Sequence, residues 1–125
     1  MPWQFNYLSD RKILYAEIFG NMDAPDFLLL CKETLDQGAQ HRTHSYLLDH
    51  TRLTKQLSMD DLMQLPGKLE KAGLTKQDKI AILYSKYALD FSVYEQASRE
   101  MGFSVAVFYD KTEALKWLQR EVKID

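Results

Sequence analysis

Ser104-Val105-Ala106-Val107-Phe108, then Tyr109-Asp110, then Lys111-Thr112-Glu113-Ala114-Leu115-Lys116-Trp117-Leu118, is the stretch whose reading decides the fold class. Its first five residues form a short, almost continuously apolar run, the pattern of a strand covered on both faces. Asp110 with Glu113 three residues on marks a helix start, because a carboxylate at the cap accepts the free amides of the first turn. Ala114, Leu115, Trp117, Leu118 and Val122 supply the apolar positions of that helix. A buried strand running into a capped helix is the repeating unit of an α/β sheet.

The same unit recurs toward the N-terminus. Lys79 to Ser85 contains Ile80-Ala81-Ile82-Leu83-Tyr84, the best candidate for a central strand, and Tyr87, Phe91, Tyr94, Ser98 and Met101 form one helical stripe that Gly102 stops. Ser45-Tyr46-Leu47-Leu48-Asp49 reads as another buried strand, which the polar stretch His50 to Gln56 leaves. Ser58 and Asp61 have a capping-box-like spacing ahead of Leu62, Leu65, Leu69 and Ala72, and Pro66-Gly67 inside that pattern predicts a kink or break near Leu65. Gln4 to Leu8 and Ile13 to Phe19 read as a hairpin around Ser9-Asp10-Arg11-Lys12, with Gly20 ending the second strand. Asp23, Pro25 and Asp26 open a helix whose apolar face is Ala24, Phe27, Leu28, Leu30, Cys31 and Leu35, with Leu29 on the opposite side. The expected order is ββαβαβαβα, a mixed sheet whose later strands are parallel and covered by helices, in a single domain spanning residues 1–125.

Composition narrows the function classes. The 125 residues are 46% hydrophobic and 27% charged, enough for one packed core without disulfides or structural metal, and Cys31 is the only cysteine. A formal net charge of −2, with neither half strongly basic, carries no nucleic-acid footprint. The longest apolar run, Phe27 to Cys31, falls far short of the ~20 residues that span a bilayer. Met1-Pro2-Trp3-Gln4-Phe5-Asn6 lacks a secretory signal, so the expected location is cytoplasmic, a compartment compatible with a lone thiol.

Three features together resemble the SpoIIAA-like proteins, bacterial relatives of the STAS domains of anti-sigma-factor antagonists. They are Gly20-Asn21-Met22-Asp23 at a strand-to-helix turn, Leu47-Leu48-Asp49 before a loop into a capped helix, and Phe108-Tyr109-Asp110 leading into Glu113-Ala114-Leu115-Lys116-Trp117-Leu118. The resemblance covers nearly the whole chain and implies a regulatory domain that binds proteins. It also implies a phosphorylated serine in an Asp-Ser-Ser-Gly-like element at the start of the second helix. This chain departs there: the stretch is Leu57-Ser58-Met59-Asp60-Asp61-Leu62, the phosphoacceptor position falls at Met59 or Asp60, and Ser58 reads as a helix cap.

Ligands of open α/β sheets sit beyond the carboxyl ends of the strands. That edge would gather Asn21 and Asp23, Asp49, His50, Thr51 and Arg52, Ser85, Lys86 and Tyr87, and Asp110. No Gly-x-Ser-x-Gly elbow frames Ser85, and neighbouring Asp49 and His50 diverge in a strand, so no hydrolytic triad is expected. Lys86 and Arg52 are the cations available to an anion. His41 and His44 lack further ligands at a matching spacing, so no metal is expected, and Cys31 reads as an inert core thiol. Tyr87, Phe91 and Tyr94, with Met101 below and Met59 and Met63 on the neighbouring helix, either pack a core or line an apolar pocket. Leu29, Leu89 and Val93 project away from the apolar helical faces and are the candidate interface positions.

The preferred reading is a non-enzymatic domain, with no cofactor, that binds a protein partner or a second copy of itself. The alternative is a carrier or sensor of a small apolar ligand or lipid, held near Tyr87, Phe91 and Tyr94 with the carboxyl-edge residues Asp49, His50, Arg52, Ser85 and Lys86. An enzyme centred on Asp49, His50 and Lys86 comes third.

Overall fold

The computed structural model describes residues 2–55, 57–85 and 92–120. Alternating side chains make a hairpin of Trp3–Leu8 (β1) and Ile13–Asn21 (β2), closed by a turn in which Lys12 adopts a left-handed φ of 56°. Ala24–His41 (α1), Ser45–Lys55 (β3), Met59–Ala72 (α2), Lys79–Leu83 (β4), Ser92–Glu100 (α3), Ser104–Phe108 (β5) and Lys111–Gln119 (α4) follow, in the expected ββαβαβαβα order. The sheet order is β1-β2-β3-β4-β5, with β1 antiparallel to β2 and every later pair parallel. β4 is an interior strand beside the central β3.

Each parallel neighbour is reached through a helix, and crossovers of one hand place successive helices on one face. Accordingly α1 packs on α2 and α2 on α3, over the main core built around Leu14, Ile18, Tyr46, Leu65, Ile80 and Ile82. After β5 the chain turns to the other face, where α4 lies on β3, β4 and β5. There Ala114 and Leu118 close a smaller core with Ile13, Tyr15, Leu47 and Leu83.

Helix starts follow the capping residues. The Asp26 N–H donates to Asp23 Oδ1 at 2.9 Å and the Asp23 N–H to Asp26 Oδ2 at 3.2 Å, a reciprocal box. Ser58 Oγ accepts the Asp61 N–H at 3.1 Å, and Asp110 Oδ1 accepts the Thr112 N–H at 3.0 Å. Ser58 is the N-cap of α2, the role read from its spacing.

Three local expectations need correction. β2 does not end at Gly20 but continues to Asn21, and β3 does not end at Asp49 but runs on to Lys55. The two extensions pair with each other, Phe19 with Arg52 and Gly20 with Leu53, through register shifts that a positive φ of 68° at Gly20 accommodates. A polar stretch becomes strand because a neighbouring backbone satisfies it, which periodicity alone does not reveal. Thirdly, α2 is unbroken at Pro66. Leu62, Leu65, Pro66 and Leu69 are all buried against the core, and burial of that whole face outweighs one missing intrahelical hydrogen bond. Lys86, Tyr87, Leu89, Phe91 and Val122 lie outside the described residues.

Candidate functional site

Asp49 and His50 lie in the middle of β3, with Asp49 level with the carboxyl end of β4, and point to opposite sides of the sheet, as consecutive strand residues must. On the α4 side, Asp49 accepts hydrogen bonds from the Tyr15 hydroxyl, from the Thr51 N–H at 2.9 Å and from Thr51 Oγ1 at 2.6 Å. Burial works against its charge, but the bonds from Thr51 and Tyr15 outweigh it and hold the carboxyl below its ordinary value. Burial, then the bond to Asp49, raises the Tyr15 phenol. Lys111 Nζ lies 4.7 Å from the centre of the Tyr15 ring, and the Arg52 guanidinium lies 5.7 Å from that of Phe19.

On the other side His50 is only 2% exposed. Its Nδ1 lies 3.2 Å from the Tyr84 hydroxyl, and its ring packs against Phe27 and edge-on to Tyr84 at centroid distances of 5.6 and 5.2 Å. Removal from water pushes its pKa down to about 3, against the weaker pull of the Asp49 charge, so the imidazole is neutral at physiological pH. A carboxylate saturated on one face and a neutral imidazole buried on the other do not form an acid–base relay. Ser85, at the end of the neighbouring strand, is half-buried.

Tyr94 is buried in the main core and lines a cavity of about 30 Å³ together with Phe27, Leu30, Tyr46, His50 and Ile82. The walls are apolar, and the space suits something on the order of one or two water-sized molecules. Burial raises the Tyr94 phenol, which the nearby Ser98 hydroxyl partly offsets. Met59 and Met63 do not reach this space, since each is 61% exposed; Met101 packs at the border of the core. Burial also pushes the Cys31 thiol up to about 12, which suits an inert core sulfur.

The two flanking histidines serve separate partners. His41 stacks on Tyr7 at a centroid distance of 4.2 Å, and His44 Nδ1 meets the buried Asp78 carboxylate at 2.9 Å. Asp78 also accepts the Thr75 N–H at 2.8 Å and its hydroxyl at 3.1 Å, fixing the loop into β4.

Of the interface positions, Leu29 is 43% exposed on α1 and Val93 is half-buried at the edge of the main core. Val93 also lines a groove of about 260 Å³ between α2 and α3, with Met63, Ser92, Gln96, Ala97 and Glu100. The expectation that Met59 and Met63 join Tyr94 in a core or an apolar pocket is corrected here: both are exposed, and Met63 lines this groove. The signal was present: the two methionines are four residues apart, to one side of the Leu62–Leu65–Leu69 face.

The chain is similar to the anti-sigma factor antagonist SpoIIAA in its unphosphorylated form, at 14% identity over 94% of this chain and 97% of that one, with a TM-score of 0.48. It is also similar to an uncharacterised Shewanella loihica protein with a SpoIIAA-like fold, at 22% identity over 93% and 91% of the two chains, with a TM-score of 0.49. No family model and no curated protein matches the chain. In these comparisons, as in its motifs, the chain resembles SpoIIAA-like proteins.

Proposed function

We propose that this chain is a non-enzymatic interaction domain that binds a protein segment along the outer face of α2 and α3. One observation carries the reading: Met63, 61% exposed on α2, lines the groove together with Val93 and Ala97 of α3, and Met59, equally exposed, lies one turn before it. Unbranched, polarizable methionine side chains adapt to a partner's shape, and exposed pairs of them are uncommon without one. Glu100 gives the rim of the groove an acidic group, so the fitting partner is an amphipathic helix with apolar anchors and a basic flank. The motif resemblance to SpoIIAA-like proteins supports a partner-binding role, and Met59 or Asp60 at the phosphoacceptor position favours one without the phosphoserine switch. The alternative, an apolar ligand beside Tyr94, finds about 30 Å³ among the described residues, too little for a lipid chain.

Affinity capture from the native host with wild type, Met59→Asp/Met63→Asp and Leu29→Asp tests the reading. The expected result is a protein retained by wild type and by Leu29→Asp, lost with the methionine double variant, and eluted by salt as the acidic rim requires. Retention by the double variant, shown by circular dichroism to be folded, overturns it.

A further inference from the structure

The two edges of the sheet are treated differently. At the β5 edge, the Val107 N–H donates to Glu95 Oε2 at 2.5 Å, so a side chain from α3 occupies a backbone group that an added strand would need. At the β1 edge, no described residue does the same. β1 reads Trp3-Gln4-Phe5-Asn6-Tyr7-Leu8, with no charge, no proline and a regular register against β2. It therefore lacks the devices by which sheet edges avoid pairing.

Which groups face outward follows from one bond. The Phe19 N–H donates to the Pro2 carbonyl at 2.7 Å, so residues 2 and 19 are a hydrogen-bonded pair. Bonded pairs alternate along an antiparallel ladder, and the register of Trp3 with Ile18 makes the next ones Gln4 with Glu17 and Asn6 with Tyr15. Trp3, Phe5 and Tyr7 therefore turn their N–H and C=O groups to the open side.

We propose that this edge pairs with β1 of a second copy, antiparallel about a two-fold axis at Phe5, joining the two sheets into one. A two-fold axis normal to the sheet preserves its faces, so residues that meet must share parity, and a centre on a residue satisfies this. With the centre at Phe5, Trp3 meets Tyr7 and Phe5 meets its own image on the α1 side, and each such pair exchanges both backbone bonds. Gln4 meets Asn6 on the other side. The outcome is an aromatic row on the face that borders the main core and an uncharged amide row on the exposed face, with no like charges opposed. Clearance is sufficient: α1 packs across β1, β2 and β3, centred on β2, so its image lies about three strand spacings, ~14 Å, away. Packed helices need only about 8–10 Å. The contact is small, so copies exchange at micromolar concentration. It lies at the opposite side of the sheet from the α3 groove and is independent of the partner reading.

Sedimentation velocity of the full chain from about 1 to about 500 µM tests the proposal. Wild type should show a reversible monomer–dimer equilibrium. Gln4→Lys/Asn6→Lys places lysine opposite lysine twice at exposed positions, and should weaken the dimer about tenfold or more. Gln4→Lys/Asn6→Glu places opposite charges across the same pairs and should dimerise at least as well as wild type. Circular dichroism establishes that both variants are folded. A wild type monomeric throughout, a dimer indifferent to the double lysine, or a dimer broken by the charge-paired variant each overturns the proposal. Met59→Asp/Met63→Asp should leave dimerisation unchanged, which separates this interface from the groove.

Discussion

Inside the main core His50 stays unprotonated down to about pH 3, whereas in an unfolded chain it takes up a proton near pH 6.5. Between those values the unfolded state binds more protons than the folded one, so stability is full above pH 6.5 and falls as pH drops toward 3. Asp49 acts in the same direction but later: its folded value lies below 3.8, so its contribution is lost only as pH falls through and below that point. His50→Leu is expected to remove the earlier slope, which is at most about 1.4 kcal/mol per pH unit, and so to gain on wild type progressively below pH 6.5. Urea midpoints at about pH 7.5 and about pH 5 check this, and equal acid losses in the two proteins would show that His50 protonates within the fold. That Asp49 and His50 diverge was legible from strand periodicity. Which of them entered the core was not, because period two assigns faces without saying which face is dry.

Within α1, Gly38 lies in the last turn, and helix propensity alone ranks alanine about 1 kcal/mol better there. Packing reverses the sign. A Cβ at Gly38 would collide with the Tyr46 hydroxyl and stand 2.7 Å from two carbons of its ring. Tyr46 cannot yield easily, since it is buried in β3 and donates its hydroxyl hydrogen bond to the Thr43 carbonyl at 3.2 Å. Gly38→Ala is therefore expected to destabilise the protein by about 1–3 kcal/mol, and a raised melting temperature would refute the close approach. Helix starts were readable one by one, since Asp23, Ser58 and Asp110 are local caps. The continuity of α2 through Pro66 and the length of β3 were not, because both depend on surfaces contributed by distant elements.

Across the whole molecule the two faces of the sheet carry unequal cores. α1, α2 and α3 together cover one face, whereas α4 covers the other with Ala114 and Leu118 as its buried residues. Its C-terminal end is tied down by Lys79, whose Nζ donates to the Trp117 carbonyl at 2.7 Å and the Arg120 carbonyl at 3.1 Å. So small an apolar contact suggests that α4 opens without global unfolding. Amide hydrogen exchange should find the α4 amides at least about tenfold less protected than those of β3 and β4, whereas equal protection would mean that the two cores melt as one unit.

Sequence by itself determined the α/β class, the order of elements, the capped helix starts and the divergence of Asp49 and His50, because each rests on the periodicity or chemistry of residues close along the chain. Tertiary structure alone decided that His50 is a neutral core residue, that Met59 and Met63 are exposed with Met63 beside α3, and that the two sheet edges differ at Glu95 and β1. The physical reason is common to all three. Burial, groove formation and edge protection are properties of pairs of surfaces, and the partner surface in each case lies twelve or more residues away along the chain.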